Sequence, residues 1–203
     1  MRNHLQELVA NYPELERCQT DIERAFQAMA ACFRAGGKML LCGNGGSAAD
    51  CEHWSAELMK GFLSKRPLAE EWKKKLGADL GKKLQGALPA IPLPAFSSLS
   101  SAFANDVDPE LVFAQGVWAL GAEGDVLTCI STSGNARNVL RAAEVARAKG
   151  LVTVGLTGEH GGKLRRLAEI CIRAPGRDVH RIQQYHMPVY HCLCLMLEDE
   201  FFA

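Results

Sequence analysis

The chain has 203 residues, of which 48% are hydrophobic, and its 23 basic residues balance 23 acidic ones. That length and apolar content are enough for one domain with a sizeable core. The formal net charge of zero excludes a general electrostatic attraction to nucleic acid or to an anionic membrane surface. An anionic ligand would therefore have to be held by a few local groups.

The cysteines and the N-terminal sequence indicate the compartment. The eight cysteines include no C-x-x-C pair, and the first residues are charged and helical in pattern rather than a secretory leader. No uncharged apolar run is long enough to span a membrane. We expect reduced, mostly buried thiols in a cytoplasmic protein without a membrane partner.

The first quarter of the chain predicts helices, a strand and another helix. Apolar residues recur at helical spacing over residues 5–33 with a break at Pro13, which indicates one or two amphipathic helices within an N-terminal helical region 1–35. A double glycine ends them. The apolar run 38–42 then predicts a buried strand, and a helix follows at about 47–62.

Residues 64–88 differ in character from their surroundings. They carry two clusters of lysines with scattered Leu and one Trp. This composition favours a mostly solvated helical insertion within a single domain 1–203, and a lid or a subunit contact is the expected role.

The remaining chain alternates between strands and helices. The pattern predicts apolar segment 90–93, helix 109–121, strand 125–130, helix 138–149, strand 151–156, short strand 169–173 and helix 181–202. Such alternation implies an α/β fold with a mainly parallel sheet and helices on both faces. Ligands on such sheets bind at the carboxyl ends of the strands.

Three loops at predicted strand ends are rich in small and hydroxyl residues, namely 43–47, 131–135 and 157–162. Glycines let the backbone approach a ligand, while hydroxyls and helix-terminal N–H groups donate to phosphate oxygens. One such loop alone is more often a tight turn or a helix cap. Caps do not explain Ser131, Thr132 and Ser133 in a row, so we favour a phosphate site; the loops match neither nucleotide-binding glycine motif.

Two helices carry residues suited to a metal or to acid–base chemistry. His53 and Glu57 are four residues apart and share a helix face, and Gln183 and His191 share a face of the C-terminal helix. A surface ion pair and a core histidine are the simpler interpretations of these residues. If the two faces meet, the four side chains form a mixed N/O set suited to a divalent ion such as zinc.

Several ordered motifs together resemble the sugar isomerase (SIS) family, and within it the sedoheptulose 7-phosphate isomerases, also called phosphoheptose isomerases. The motifs are 42–50 (CGNGGSAAD), 53–57 (HWSAE), 104–106 (AND), 130–135 (ISTSGN), 156–158 (LTG) with 161–162 (GG), and 181–183 (RIQ) with His191. The resemblance covers nearly the whole chain outside 64–88. It implies a three-layer αβα sandwich with a five-stranded parallel, flavodoxin-like sheet, N-terminal helices and a long C-terminal helix.

The resemblance also implies residue roles. Phosphate would be bound by Ser47, Ser131, Thr132 and Ser133, and sugar hydroxyls by Asn44 and Asp106. The substrate-binding set would be completed by Gly45, Gly46, Asn105, Gln183 and Glu57. One zinc ion per subunit would be surrounded by His53, Glu57, Gln183 and His191, with Glu57 and His191 as the acid–base pair.

The implied reaction converts sedoheptulose 7-phosphate into D-glycero-D-manno-heptose 7-phosphate, a precursor of the heptose of surface lipopolysaccharide, in a homotetramer with active sites between subunits. Moving a carbonyl between C1 and C2 requires proton removal, an enediol and proton return. Glu57 is the expected base. Direct binding to a metal would lower its basicity, so the two roles compete, and we favour the base.

Two departures and several alternatives remain. Ala136 stands where the family often has Ser, and His180 where many members have Asp or Thr. A non-catalytic relative that binds a replication-initiator protein would tend to lack the Glu57 and His191 pair. An isomerase of another phosphosugar remains open, whereas a sugar-phosphate sensor would need a DNA-binding module for which the chain has no room.

Overall fold

Helices and strands alternate along the part of the chain that the computed structural model describes, residues 3–203. The helices are α1 (His4–Asn11), α2 (Gln19–Arg34), α3 (Gly46–Met59), α4 (Glu70–Lys83), α5 (Ser97–Asp106), α6 (Val112–Leu120), α7 (Arg137–Ala148), α8 (Leu164–Leu167) and α9 (Val179–Phe202). The strands are β1 (Met39–Gly43), β2 (Ala90–Pro92), β3 (Val126–Ser131), β4 (Val152–Thr157) and β5 (Ile170–Arg173). Of the predicted N-terminal helical region 1–35, residues 1 and 2 lie outside the described part.

The strands form one parallel sheet in the order β2-β1-β3-β4-β5. Met39 of β1 lies opposite Ala90 on one side and opposite Val126 on the other. This is the flavodoxin-like strand order, in which β1 and β3 are central neighbours and the chain reverses its direction of winding between them. The predicted five-stranded parallel sheet is confirmed.

Alternate strand residues face two separate cores. Met39 and Leu41 of β1 pack with apolar residues of α1, α2, α3 and α9, whereas Leu40 and Cys42 pack with residues of α6 and α7. Successive side chains of a strand point to opposite faces, so a strand that is buried on both sides reads as a continuous apolar run. The three-layer arrangement with its long C-terminal helix is therefore confirmed.

One helix boundary and one whole helix differ from the sequence-based expectation. The helix expected at 47–62 ends at Met59, because Lys60 is extended (φ −140°, ψ 172°). Helix α5 was not predicted; it is rich in serine and has no fully buried residue, so it lacks the apolar periodicity that marks an amphipathic helix.

A buried ion pair holds the chain that leaves α3. The Arg66 side chain is fully buried, and its Nε donates to Oε1 of buried Glu198 at 2.7 Å. Glu198 also accepts the backbone N–H groups of residues 62–64 at 2.8–3.0 Å. Arg66 itself has a left-handed φ of 43°. The turn after α3 is thus fixed to the end of α9.

The segment predicted as a helical insertion contains α4. An antiparallel bridge between Pro67 and Gln85 closes its base. Gly77 interrupts the helix with φ 79° and ψ 171°. Large apolar side chains along it are exposed, including Trp72 (53%) and Leu80 (51%). The segment is therefore partly helical and well solvated.

The cysteines are all free thiols, and seven of the eight are buried. Burial raises the pKa of Cys18 and of Cys32 to about 11 and that of Cys192 to about 12. At neutral pH these thiols are almost entirely protonated. No helix in residues 3–203 combines the length and apolarity that a membrane crossing needs.

We expect His186 to make the fold sensitive to acid. Its ring lies within hydrogen-bonding distance of the carbonyl oxygen of Thr157 (Nε2–O 3.2 Å), and burial lowers its pKa from 6.5 to about 4. Below pH 6.5 the unfolded chain gains a proton that the folded chain does not take up until about pH 4. Stability therefore falls as the pH falls through this window.

The free energy of unfolding, measured by urea titration, should fall between pH 7 and pH 5 by ~2 kcal/mol more in the wild type than in a His186→Gln variant. The matched control is His160→Gln, because His160 is exposed. An unchanged pH dependence in His186→Gln would contradict this assignment.

Candidate functional site

The carboxyl ends of β1, β3 and β4 bring the three small-residue loops to one edge of the sheet. After β1 the chain turns at Gly45, which has a left-handed φ of 55°, and α3 begins at Gly46 without a side-chain cap. A Cβ atom at Gly46 would overlap the Gln183 amide from α9. The glycine loop therefore lets Gln183 lie directly against the start of α3.

The loop after β3 is locked onto the loop after β4. The N–H of Gly158 donates to the carbonyl of Thr132 (2.9 Å), and the N–H of Leu164 donates to the carbonyl of Gly134 (2.9 Å). Ser131 is buried, whereas Ser133 is exposed and its hydroxyl oxygen accepts the N–H of Asn135. The predicted phosphate loop is thus held rigidly with part of its hydroxyl set facing solvent.

Gly134 is the tightest point of this junction. Its φ is 64°, and a Cβ atom there would overlap the carbonyl of Gly161. A Gly134→Ala variant should displace the hydroxyl loop and lower kcat/KM for a phosphosugar by about tenfold or more, since small misplacements at a binding site are costly.

Gly124→Ala is the matched control for that variant. Gly124 has a similar left-handed φ of 84°, but nothing lies within 4 Å of a Cβ atom placed there. The Gly124→Ala variant should lose about 1 kcal/mol of stability through backbone strain alone and should keep its activity. Equal activity losses in the two variants would contradict a specific role for the loop junction.

The amides of Asn44 and Asn138 exchange two hydrogen bonds of 2.9 Å. They border a cavity of about 320 Å³ that extends toward Ser100 and Ala104 of α5. Asn105 and Asp106 are exposed beside it and hydrogen-bond each other (2.8 Å). A cavity of this size can hold a small ligand such as a sugar phosphate.

Helices α3 and α9 lie side by side and run in the same direction. Gln183 contacts Gly46, Tyr190 contacts His53 one step further along, and Glu198 binds the turn that follows α3. The two faces predicted from the sequence therefore meet. Gln183 lies at the level of the glycine loop, and His191 lies at the level of His53.

Glu57 is a nearly buried carboxylate with two basic neighbours. Its side chain is 12% exposed; Lys60 Nζ donates to Oε2 at 2.7 Å, and His53 Nε2 lies 3.4 Å from Oε1. A contact of 3.4 Å is longer than an ordinary N–H···O hydrogen bond. The Oε1 atom is therefore the less committed oxygen of Glu57.

His191 packs edge-on against the His53 ring, with ring centroids 5.1 Å apart. Its Nε2 atom is buried and has no hydrogen-bond partner. Burial lowers the pKa of His191, the nearby His53 ring lowers it further, and Glu57 partly opposes the change. At neutral pH the ring is consequently neutral.

The donor set fits a divalent ion in part. Two ligands about 2.0–2.1 Å from one tetrahedral ion lie ~3.4 Å apart, which matches the separation of His53 Nε2 and Glu57 Oε1. The unpartnered Nε2 of His191 is a further free donor nearby. Among residues 3–203, however, no three His, Cys, Asp or Glu side chains are already arranged around a common metal position.

The structure brings His53, Glu57 and His191 together, and it brings the glycine loop and the hydroxyl loop to the same sheet edge. A larger cleft of about 470 Å³ lies elsewhere, over α7 near Arg141 and Arg166, and has none of these residues in its lining. Sequence reasoning missed Asn138, Asp50 and Tyr190. Asn138 had a signal, because it lies at the start of a helix that follows the hydroxyl loop.

Comparison with known proteins identifies the family of the chain. The family model described as SIS domain matches residues 4–83 and 86–158. A phosphoheptose isomerase from Rhodospirillum rubrum is 41% identical over 182 residues, covering 90% of this chain and 87% of the relative. A phosphoheptose isomerase from Akkermansia muciniphila is 35% identical and covers 100% of this chain and 97% of its own length.

The fold is similar to a solved phosphoheptose isomerase from Francisella tularensis, with a TM-score of 0.74 and 28% identity, covering 98% of this chain and all of that one. A second such structure, from Neisseria gonorrhoeae, has a TM-score of 0.72 and 30% identity, covering 95% and 98% of the two chains. The chain therefore belongs to the SIS domain family, in its phosphoheptose isomerase group of sugar-phosphate isomerases.

Proposed function

We propose that the protein converts sedoheptulose 7-phosphate into D-glycero-D-manno-heptose 7-phosphate through an enediol. The observation that carries the proposal is the meeting of Glu57 and His191 around His53, on helices that begin at the same sheet edge as the phosphate loop. Family membership supports isomerase chemistry; the side-chain arrangement supplies an acid–base pair for it.

The phosphate would bind in the loop after β3. Ser131, Thr132 and Ser133 would supply hydroxyl donors. Helix α7 begins directly after this loop without a side-chain cap at Ala136, and of its first N–H groups Asn138 Oδ1 accepts only that of Val139. A helix N-terminus offers free N–H groups and a partial positive charge to an anion. Ser47, buried at the start of α3, would contribute from the other side. The Ala136 departure leaves the helix end open to ligand.

The sugar would extend from this loop toward the cavity at Asn44. Asn44 and Asp106 would contact its hydroxyls, with Gly45, Gly46, Asn105 and Gln183 around it. The cavity of about 320 Å³ accommodates a chain of this size. Neither Glu57 nor His191 lines this cavity, so the carbonyl end of the sugar would have to extend beyond it, past Ala48 of α3, to reach them.

Glu57 would act as the base through Oε1. An ionised carboxylate removes the proton from C1 of the ketose and returns it to C2 of the enediol. The proton that leaves the C1 hydroxyl has to reach the oxygen on C2. His191 suits this transfer because it is neutral and has an unpartnered ring nitrogen.

We propose one zinc ion per subunit, held by His53, Glu57, Gln183 and His191. Support comes from the ligand-like separation of His53 and Glu57 and from the free nitrogen of His191. Direct binding through Glu57 Oε1 would lower the basicity of that oxygen, so the ligand role would compete with the proposed base role. A bound divalent ion would polarise the carbonyl oxygen and so acidify the adjacent C–H group. To test this ligand set, zinc is titrated into metal-free wild type and into a His53→Gln variant. Calorimetry then measures whether the loss of His53 weakens zinc binding.

We also propose a cytoplasmic homotetramer with active sites between subunits. Exposed large apolar side chains on one chain, such as Trp72, Leu80 and Trp118, support association, because such surfaces often mark interfaces. Light scattering on the purified protein measures the assembly directly. A monomer at micromolar concentration would contradict it.

The decisive experiment is turnover of sedoheptulose 7-phosphate, with and without added zinc, followed by NMR detection of the heptose 7-phosphate. Dephosphorylated sedoheptulose serves as the matched control and should not turn over, because the loop after β3 would have nothing to hold. Folded protein without product would favour a non-catalytic adaptor. If product forms only from another phosphosugar, the same reaction is assigned to that substrate.

A further inference from the structure

Two side chains outside the proposed acid–base pair form a hydrogen-bonded chain behind His53. The Tyr190 hydroxyl lies 2.9 Å from His53 Nδ1 and donates to Asp50 Oδ1 in a contact of 3.4 Å, which is long for an O–H···O bond. Asp50 precedes His53 by one helical turn on α3, and Tyr190 reaches both from α9. The opposite nitrogen of His53, Nε2, faces Glu57.

The position of the tyrosine hydroxyl is fixed by packing. Tyr190 is fully buried, and its ring stacks on Trp54 with centroids 5.4 Å apart and an angle of 18°. The adjacent His191 ring meets it edge-on at 4.9 Å. Little rotation is available to a ring held on two sides, so the hydroxyl remains between Asp50 and His53.

Counting protons gives the direction of the hydrogen bonds. The Tyr190 hydroxyl has one proton and two neighbours, and Oδ2 of Asp50 is buried without any partner. If the hydroxyl donated to His53 instead, both oxygens of Asp50 would lack a donor, which is costly for a buried carboxylate. With the proton given to Asp50, the tyrosine oxygen accepts a hydrogen bond, and His53 Nδ1–H is its donor.

We propose that Asp50 and Tyr190 are positioning residues that keep a proton on His53 Nδ1 and aim Nε2 at Glu57. His53 Nε2 and Glu57 Oε1 then face each other at 3.4 Å. A cation between two such atoms stabilises them, and outer hydrogen bonds of this kind orient histidine ligands. The proton on Nδ1 follows from the hydrogen-bond geometry; the use of Nε2 for a divalent ion rests on the proposed function.

The tautomer can be measured without any activity. In protein labelled with ¹⁵N-histidine, the His53 signals, identified by their loss in His53→Gln, should show a protonated Nδ1. Tyr190→Phe keeps the ring stack but removes the hydroxyl, so the Nδ1–H form should lose its dominance. Asp50→Asn should shift the equilibrium in the same direction, since it removes the charged acceptor.

Tyr185→Phe is the matched control, because Tyr185 lies on the same helix and packs partly against the same core. It should leave the His53 signals unchanged. An unprotonated Nδ1 in the wild type, or an unchanged Nδ1–H signal in both Tyr190→Phe and Asp50→Asn, would overturn the proposal.

Metal affinity gives a second readout that separates the two proposals. Binding of Co²⁺ to the metal-free protein, measured by absorbance, should weaken about 10–100-fold in Tyr190→Phe and not in Tyr185→Phe. If the wild type shows the Nδ1–H tautomer but binds no cobalt or zinc, the metal part of the proposed function fails while the positioning role stands. Equal affinities in wild type and Tyr190→Phe would overturn the link between them.

Discussion

Replacing Glu57 by Gln should lower kcat by about 10²–10⁴-fold and leave the protein folded. Glutamine keeps the size of the side chain and can still contact Lys60, but it cannot accept the carbon-bound proton. Because Oε1 is the oxygen that Lys60 leaves free, the loss should appear mainly in kcat. KM should change less, since the loop that we propose binds the phosphate follows β3 and not β1.

Solvent isotope exchange provides a readout specific to the base. In D₂O the wild type should introduce deuterium at C2 of the product, and Glu57→Gln should not. Glu52→Gln is the matched control, because Glu52 is an exposed glutamate on the same helix. Deuterium incorporation at wild-type rates in Glu57→Gln would assign the base to another residue.

Breaking the Arg66–Glu198 pair should be the most damaging change to the fold. Removing one partner of a buried pair leaves an uncompensated charge and costs about 3–5 kcal/mol. The loss of stability should be larger in Glu198→Ala than in Arg66→Met, because Glu198 also accepts three backbone N–H groups after α3. Arg66 in turn donates to the carbonyls of Leu58 and Glu57 at the end of that helix.

Urea unfolding monitored by circular dichroism measures these effects. Lys75→Ala, which removes an exposed pair with Glu71, is the control and should cost under about 1 kcal/mol. Burial would raise the pKa of Glu198, but the backbone donors and Arg66 outweigh it and hold the pKa below its usual value. The contribution of Glu198 to the free energy of unfolding is therefore present at neutral pH and is lost as the pH falls and the carboxylate is protonated. A Glu198→Ala variant as stable as wild type would contradict this role.

The sheet and the loops could be predicted because their signals are local. Each buried strand is a short apolar run in the sequence, and each of the three loops rich in small and hydroxyl residues directly follows such a run. The meeting of His191 with His53 and Glu57 was also predictable. Sequence spacing places each residue on one face of its helix, and the apolar C-terminal helix has to pack against another element.

The Arg66–Glu198 pair could not be predicted, because its members are 132 residues apart and each alone looks like a surface charge. The early end of α3 follows from the same pair, since Glu198 takes the N–H groups that a longer helix would have used internally. Tyr190 carries no sequence signal for a role beyond packing. Its second role depends on Asp50, which sequence gives no reason to connect with it.

The burial of the cysteines has a consequence for experiments on motion. Thiolates, not thiols, react with alkylating reagents, and Cys18 and Cys32 combine burial with a pKa of about 11. Modification must then wait for the chain to open locally. With thiols distributed over α2, β1, α3, β3 and α9, the order in which they are labelled would record which layer of the sandwich opens first.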